Sequence, residues 1–185
     1  MRKNLKGEAV VFPMPVLLIA TYNEDGSVDV MNAAWGTAYE TNQIKLNISE
    51  GHKTTQNIKR TRAFTVSLAD GVHVVEADYF GMISGNNKKD KFEKSGLHAI
   101  KSEHVNAPII EELPICMECT LAENQEGYGV LGNVVNVSVD AKFLNPDGTV
   151  NVDAIRAIAF DSFNHGYYEI GKKVGQAFSD GKKLI

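Results

Sequence analysis

Residues 16–31, Val16-Leu17-Leu18-Ile19-Ala20-Thr21-Tyr22-Asn23-Glu24-Asp25-Gly26-Ser27-Val28-Asp29-Val30-Met31, decide the architectural class. Residues 16–22 form an unbroken β-prone run. Asn23-Glu24-Asp25-Gly26 then supplies residues that tolerate positive φ, and residues 27–31 set Val28 and Val30 against polar neighbours. A run, a tight turn and an alternating run read as a β-hairpin, so the sheet that contains them is mostly antiparallel. Moving outward, residues 36–40 and 44–48 read as two more strands around a turn at Thr41-Asn42-Gln43.

At residue 54 the period changes. Residues 54–60 suit a short helix before a strand over residues 63–68, and a second helix is expected over residues 73–83. Residues 86–95 are polar and charged between Gly85 and Gly96, which reads as a mobile excursion, a lid. Strands return at residues 115–122 and 130–143, the second ended by the turn residues Asn145-Pro146-Asp147-Gly148. The tail from Asp153 onward reads as largely helical, with aromatic residues near its middle. Short strands with helices inserted, and no βαβ alternation, point to a closed barrel that is mainly β with helical insertions. A Rossmann domain is disfavoured, since no G-x-G-x-x-G follows a strand, and Gly81-Met82-Ile83-Ser84-Gly85 lacks the Lys-Ser/Thr ending of a P-loop.

The chain has 185 residues, 43% of them hydrophobic, which is one domain's worth of core. A net charge of -4 supplies no positive field for nucleic acid or an anionic bilayer, so neither is an expected partner. Arg2, Lys3 and Lys6 ahead of an apolar run resemble a secretion signal, but Pro13 and Pro15 interrupt that run and no small-x-small cleavage site follows it. With two cysteines only, the expectation is a reducing compartment, the cytoplasm.

Two stretches carry candidate chemistry. His52-Lys53-Thr54-Thr55-Gln56-Asn57 opens a helix, where unpaired N–H groups and the positive dipole end suit a phosphate. Lys53 adds charge, and Thr54 and Thr55 add hydroxyl donors; the competing reading is a capped, solvated helix end. Met31-Asn32-Ala33-Ala34-Trp35-Gly36 sets small residues beside a polar Asn and the single Trp, a backbone that a flat ring could approach; the competing reading is a crowded barrel corner. One strand separates the two stretches, so a phosphorylated aromatic cofactor would fit both.

The cysteines, histidines and the basic run carry less. Cys116 and Cys119 lie three apart in an expected strand, hence on opposite faces, and read as buried structural thiols. The five histidines show no metal-ligand spacing. Lys88-Lys89-Asp90-Lys91 suits either the extra phosphate of NADPH or a solvated face.

Met14-Pro15-Val16, residues 31–35, Lys53-Thr54-Thr55-Gln56-Asn57-Ile58, Lys91-Phe92 and the Tyr-rich tail together resemble the flavin reductase-like, FMN-binding split-barrel family, flavoredoxin-type members above all. The resemblance implies a single Greek-key-like split β-barrel over about residues 9–145, with the helical tail over about 151–185. It also implies a homodimer holding FMN near the subunit interface, and it implies roles. Lys53, Thr54, Thr55 and Asn57, with His52, match the phosphate-binding run. Met31, Asn32, Ala33, Ala34 and Trp35 match the segment along the ring and ribityl chain, with Ser49 and Glu50 at the strand end beside it. Lys91 matches a Lys near the flavin, and Phe163 or Tyr167 corresponds to tail aromatics bordering the ring. Members carry Gly-Asp-His before the last long strand where this chain has Gly127-Tyr128-Gly129, so the role of that His is not carried over. The implied activity is transfer of reducing equivalents from NAD(P)H through FMN to a flavin or another acceptor. Its alternatives are an electron carrier reduced by a protein partner and a non-catalytic flavin-binding module.

Overall fold

The computed structural model describes residues 1–4, 7, 9–123 and 127–185; Lys6 lies outside them. In chain order the elements are β1 (Met14–Pro15), β2 (Leu17–Tyr22), β3 (Val28–Ala33), β4 (Gly36–Glu40), β5 (Gln43–Leu46), α1 (Lys53–Thr61), β6 (Ala63–Leu68) and α2 (Val74–Met82). They are followed by β7 (Ala99–Lys101), β8 (Pro108–Ile110), β9 (Ile115–Leu121), β10 (Val130–Val139), α3 (Val152–Ile155), β11 (Ile158–Asp161) and β12 (Gly166–Glu169).

Seven strands form one antiparallel sheet in the order β3-β2-β6-β9-β10-β5-β4. Its two edges, β3 and β4, are separated in the chain by Ala34 and Trp35 alone. Three Cα steps reach at most about 11 Å, so the sheet has to curl until its edges approach each other. That connectivity makes the sheet a split barrel. The corner is tight: a Cβ built on Gly36 would lie 2.5 Å from Leu17 Cδ1 and 3.0 Å from Leu46 Cδ2.

The apolar run in β2 is continuous because the strand is buried on both faces. Leu17 and Ile19 point into the barrel with Ile44, Leu46, Phe64 and Val130. Val16, Leu18 and Ala20 pack outward beneath α2 and the segment after it, against Ala77, Phe80, Phe92 and Ile110. The hairpin turn closes as its residues require, with Gly26 at φ +83° and Asn23 N donating to Ser27 O at 2.8 Å.

Three expectations are corrected. The tail is not largely helical. It holds the four-residue α3, a 3₁₀ turn at Asp180–Leu184, and the β11–β12 hairpin, whose first strand pairs with β1. Ile158, Phe160, Tyr167 and Tyr168 are residues that favour a pleated, half-buried surface; they pair within the β11–β12 hairpin, and Phe160 also pairs with Met14 at the other end of the chain. Residues 86–95 are no free excursion. Lys91 and Phe92 are buried, and Phe92 stacks on Phe80 with ring centroids 6.3 Å apart. The last long strand stops at Val139, where Asp140 accepts from Lys142 N and caps a 3₁₀ turn.

Candidate functional site

The corner between β3 and β4, the N-terminus of α1 and the C-terminus of α2 enclose a cleft of about 330 Å³. Its lining includes Met31, Asn32, Ala33, Ala34 and Trp35 from the corner, Ser49, His52, Lys53 and Thr54 from the α1 approach, and Lys91. Two stretches read separately in the sequence therefore face one cavity. Tyr128, in the loop before β10, also lines it and is 62% exposed.

The α1 end of the cleft is electropositive. His52 at the N-cap makes no side-chain capping bond, and the first turn holds no acidic residue. The helix dipole and Lys53 face the cavity, and the buried Asp29 carboxylate, held by Thr54, is the anion that partly offsets them. The nine-residue helix is nonetheless firmly seated, because its inner face is polar and its buried Thr54, Thr55 and Asn57 each have a partner from the β2–β3 hairpin or the β5–α1 loop. Thr54 Oγ1 donates to the buried Asp29 Oδ2 at 2.5 Å. Thr55 Oγ1 donates to Ser49 O at 2.8 Å, and Asn57 Nδ2 donates to Thr21 Oγ1 at 3.1 Å and to Asn23 Oδ1 at 2.9 Å. These bonds revise the sequence reading of the run. Thr55 and Asn57 do not line the cleft, and the one hydroxyl proton of Thr54 is already given to a carboxylate. The three side chains position the helix, while Lys53 and the helix end face the cavity.

At the opposite side, the buried Lys91 donates its ammonium to Phe80 O at 3.0 Å, a carbonyl in the last turn of α2. The ammonium thereby complements the negative end of that helix. Burial pushes the Lys91 pKa down, and the charge of Asp29 works against that shift. Asn32 fixes α2 from the strand side, donating Nδ2 to Ala77 O at 2.9 Å. Ala33 and Ala34 leave the strand backbone open to a flat ligand, and Phe80 and Met82 supply apolar wall.

The remaining expected residues sit elsewhere. Glu50 is exposed and paired with Lys59 at 2.6 Å. Phe163 is in the β11–β12 turn and 54% exposed. Tyr167 donates its hydroxyl to Asp78 Oδ1 at 3.0 Å, and burial followed by that bond raises its pKa to about 12. Neither aromatic lines the cleft of this chain. Sequence reasoning misses residues 81–85, which pass along the cavity between Asn32 and Lys53. The two glycines of that stretch are the signal it offers, and without a P-loop ending they name no ligand. Asp29 escapes notice as well, since one acidic residue in an alternating strand looks solvated.

No group of three or more metal-ligating side chains occurs among the described residues. Cys116 and Cys119 are buried free thiols, with burial raising their pKa values to about 11 and about 12. Among the described residues, no helix is long and apolar enough to cross a membrane.

Residues 9–152 match the flavin reductase like domain family. Among solved structures, a flavoredoxin of Desulfovibrio vulgaris (Miyazaki F) is 32% identical, with TM-score 0.93 over 98% of this chain and 100% of that one. A flavoredoxin from Methanosarcina acetivorans is 22% identical, with TM-score 0.88 and full coverage of both chains. An FMN-binding domain of a flavin reductase-like enzyme from Shewanella baltica OS155 is 17% identical, with TM-score 0.77 over 88% of each chain. The last two likenesses concern the fold alone.

Proposed function

The chain belongs to the flavin reductase-like domain family, and from that premise we propose that its cleft binds FMN and serves electron transfer from NAD(P)H to a flavin or another acceptor. One observation carries this reading: an uncapped, Lys-bearing helix N-terminus and a small-residue strand corner share one cavity. The donor set suits FMN. The phosphate falls to Lys53 and the first amides of α1, the ring to the backbone beside Ala33 and Ala34, and the ribityl chain to Ser49 and Asn32 between them.

When bound, FMN would supply the two-electron redox chemistry between a reduced nicotinamide and an acceptor. The protein's part is to bind, orient and shield. Lys91 holds a positive charge at the inner wall, Asn32 locks strand to helix, and the exposed Trp35 and Tyr128 stand at the rim of the cleft. No side-chain nucleophile is required. The reading includes a homodimer in the cytoplasm, in which exposed Trp35, Tyr128 and Phe163 gain cover from the partner copy, and the buried reduced thiols agree with that compartment.

A specific observation also favours an electron carrier reduced by a protein partner: the 32% identity to a flavoredoxin over 98% of this chain. Stopped-flow bleaching of the flavin separates the two. Reduction by NADH or NADPH supports the reductase, and reduction by a partner protein with no response to millimolar nicotinamide supports the carrier. Lys53→Ala tests the cleft itself and is expected to weaken FMN more than riboflavin, by about three- to tenfold. Equal loss for both ligands refutes the phosphate assignment.

A further inference from the structure

Every residue from 171 to 185 is exposed, although the chain there is shaped rather than extended. Gln176 N donates to Asp180 Oδ2 at 2.8 Å, Lys173 Nζ donates to Gln176 Oε1 at 2.6 Å, and the 3₁₀ turn at Asp180–Leu184 follows. Val174, Phe178, Leu184 and Ile185 are each at least 93% exposed, four large apolar side chains within twelve residues that rest nowhere on their own body. Phe178 also holds φ at +60°, a left-handed conformation that a bulky residue keeps only where its surroundings impose it. Its own chain offers no such surroundings, so the arm needs a template from outside the chain. The arm lies beyond the family domain, whose match ends at residue 152.

We propose that residues 171–185 are an exchange arm that docks on a second copy of this chain, with Phe178 seated in the apolar groove beside the root of that copy's own arm. The groove has a volume of about 280 Å³, enough for an aromatic side chain, and Met14, Val16, Leu68, Ala69, Ile158 and Ile170 line it where β1 and β11 meet the end of β6. Two features select a second copy as the occupant. Ile170 belongs both to the groove and to the arm's root, so one two-fold axis beside it lets each arm reach the other copy's groove. The eight residues 171–178 span at most about 26–29 Å, which suffices to cross from one body to the next. The arm carries four lysines and one aspartate, a charge of +3, which leaves −7 on residues 1–170 of a chain whose net charge is −4. Arm and body therefore attract, whereas two bodies without arms repel. The inference rests on the homodimer of the reading above and not on its flavin.

Sedimentation equilibrium of the full-length chain tests the arm. Phe178→Ser changes a side chain that lies wholly in water within its own chain, so the circular dichroism spectrum should stay the same while the dimer dissociation constant rises at least about tenfold. Phe178→Leu is expected to keep most of the affinity. Two single-site variants, Ala157→Cys at the groove and Ala177→Cys in the arm, are then mixed, left to exchange subunits and treated with a short bis-maleimide. A link between residues 157 and 177 is expected, which in this mixture joins two copies, and the buried Cys116 and Cys119 stay silent. A dimer that F178S leaves as tight as the wild type, or a mixture that gives no 157–177 link, overturns the exchange. So does a 157–177 link that forms only within one doubly substituted copy, since the arm then folds onto its own groove. A wild-type chain that stays monomeric at every concentration overturns both the exchange and the homodimer and leaves the FMN cleft standing. An intact dimer that takes up no FMN overturns the flavin reading alone.

Discussion

Replacing Thr54 with Val tests how the helix at the cleft is held. The substitution keeps the shape of a side chain that is 2% exposed and removes one hydroxyl, whose proton lies on the buried Asp29 carboxylate at 2.5 Å. A hydrogen bond to a charged group contributes about 1.5–3 kcal/mol, and the carboxylate left behind is 3% exposed, with water unable to replace the donor. The new methyl returns about 0.8 kcal/mol of apolar burial. A net loss of about 1–2 kcal/mol is expected, which for a chain of this size is about 2–8 °C in Tm. Thr55→Val is the internal control. It removes a neutral bond to Ser49 O, a carbonyl that still accepts from His52 N at 3.3 Å, and should cost less than about 1 kcal/mol. Urea unfolding of the flavin-free protein measures both. Because the Thr54 proton is committed to Asp29, T54V should also weaken FMN and riboflavin alike. A T54V loss no larger than that of T55V, or a selective loss of FMN, would refute the assignment of Thr54 to the scaffold.

Two further outcomes follow from buried titratable groups. Burial lowers the Lys91 pKa from 10.5, so as pH rises from below the depressed value toward 10.5 the unfolded chain holds the extra proton and stability rises. Lys91→Met should flatten that alkaline rise, measured as the wild-type minus variant unfolding free energy across pH; an unchanged slope would show that the ammonium is not buried. Cys116 and Cys119, raised to about 11 and about 12, should both resist an aromatic disulfide reagent at about pH 8 in the native protein and react at once in denaturant. Fast native labelling of either would contradict the burial.

What the sequence determined by itself was local. Residues 16–31 specify a hairpin because Gly26 and its neighbours close the turn and the flanking residues suit strands. Helices α1 and α2 and strand β6 follow from period and flanking signals. The two stretches of the cleft were also legible, since residue type at a helix start and at a strand end announces what each backbone can bind. The tertiary structure decided the rest. Only closure of the sheet, forced by the two-residue link between β3 and β4, brings the corner beside α1. Only packing reveals that Thr54, Thr55 and Asn57 spend their polar groups on Asp29, Ser49, Thr21 and Asn23. The tail became a hairpin because β11 found β1, a partner more than 140 residues earlier, and no local pattern encodes such a pairing. Hydrogen-bond partners and burial depend on distant chain, so they decide which polar residues hold the fold and which face the cavity.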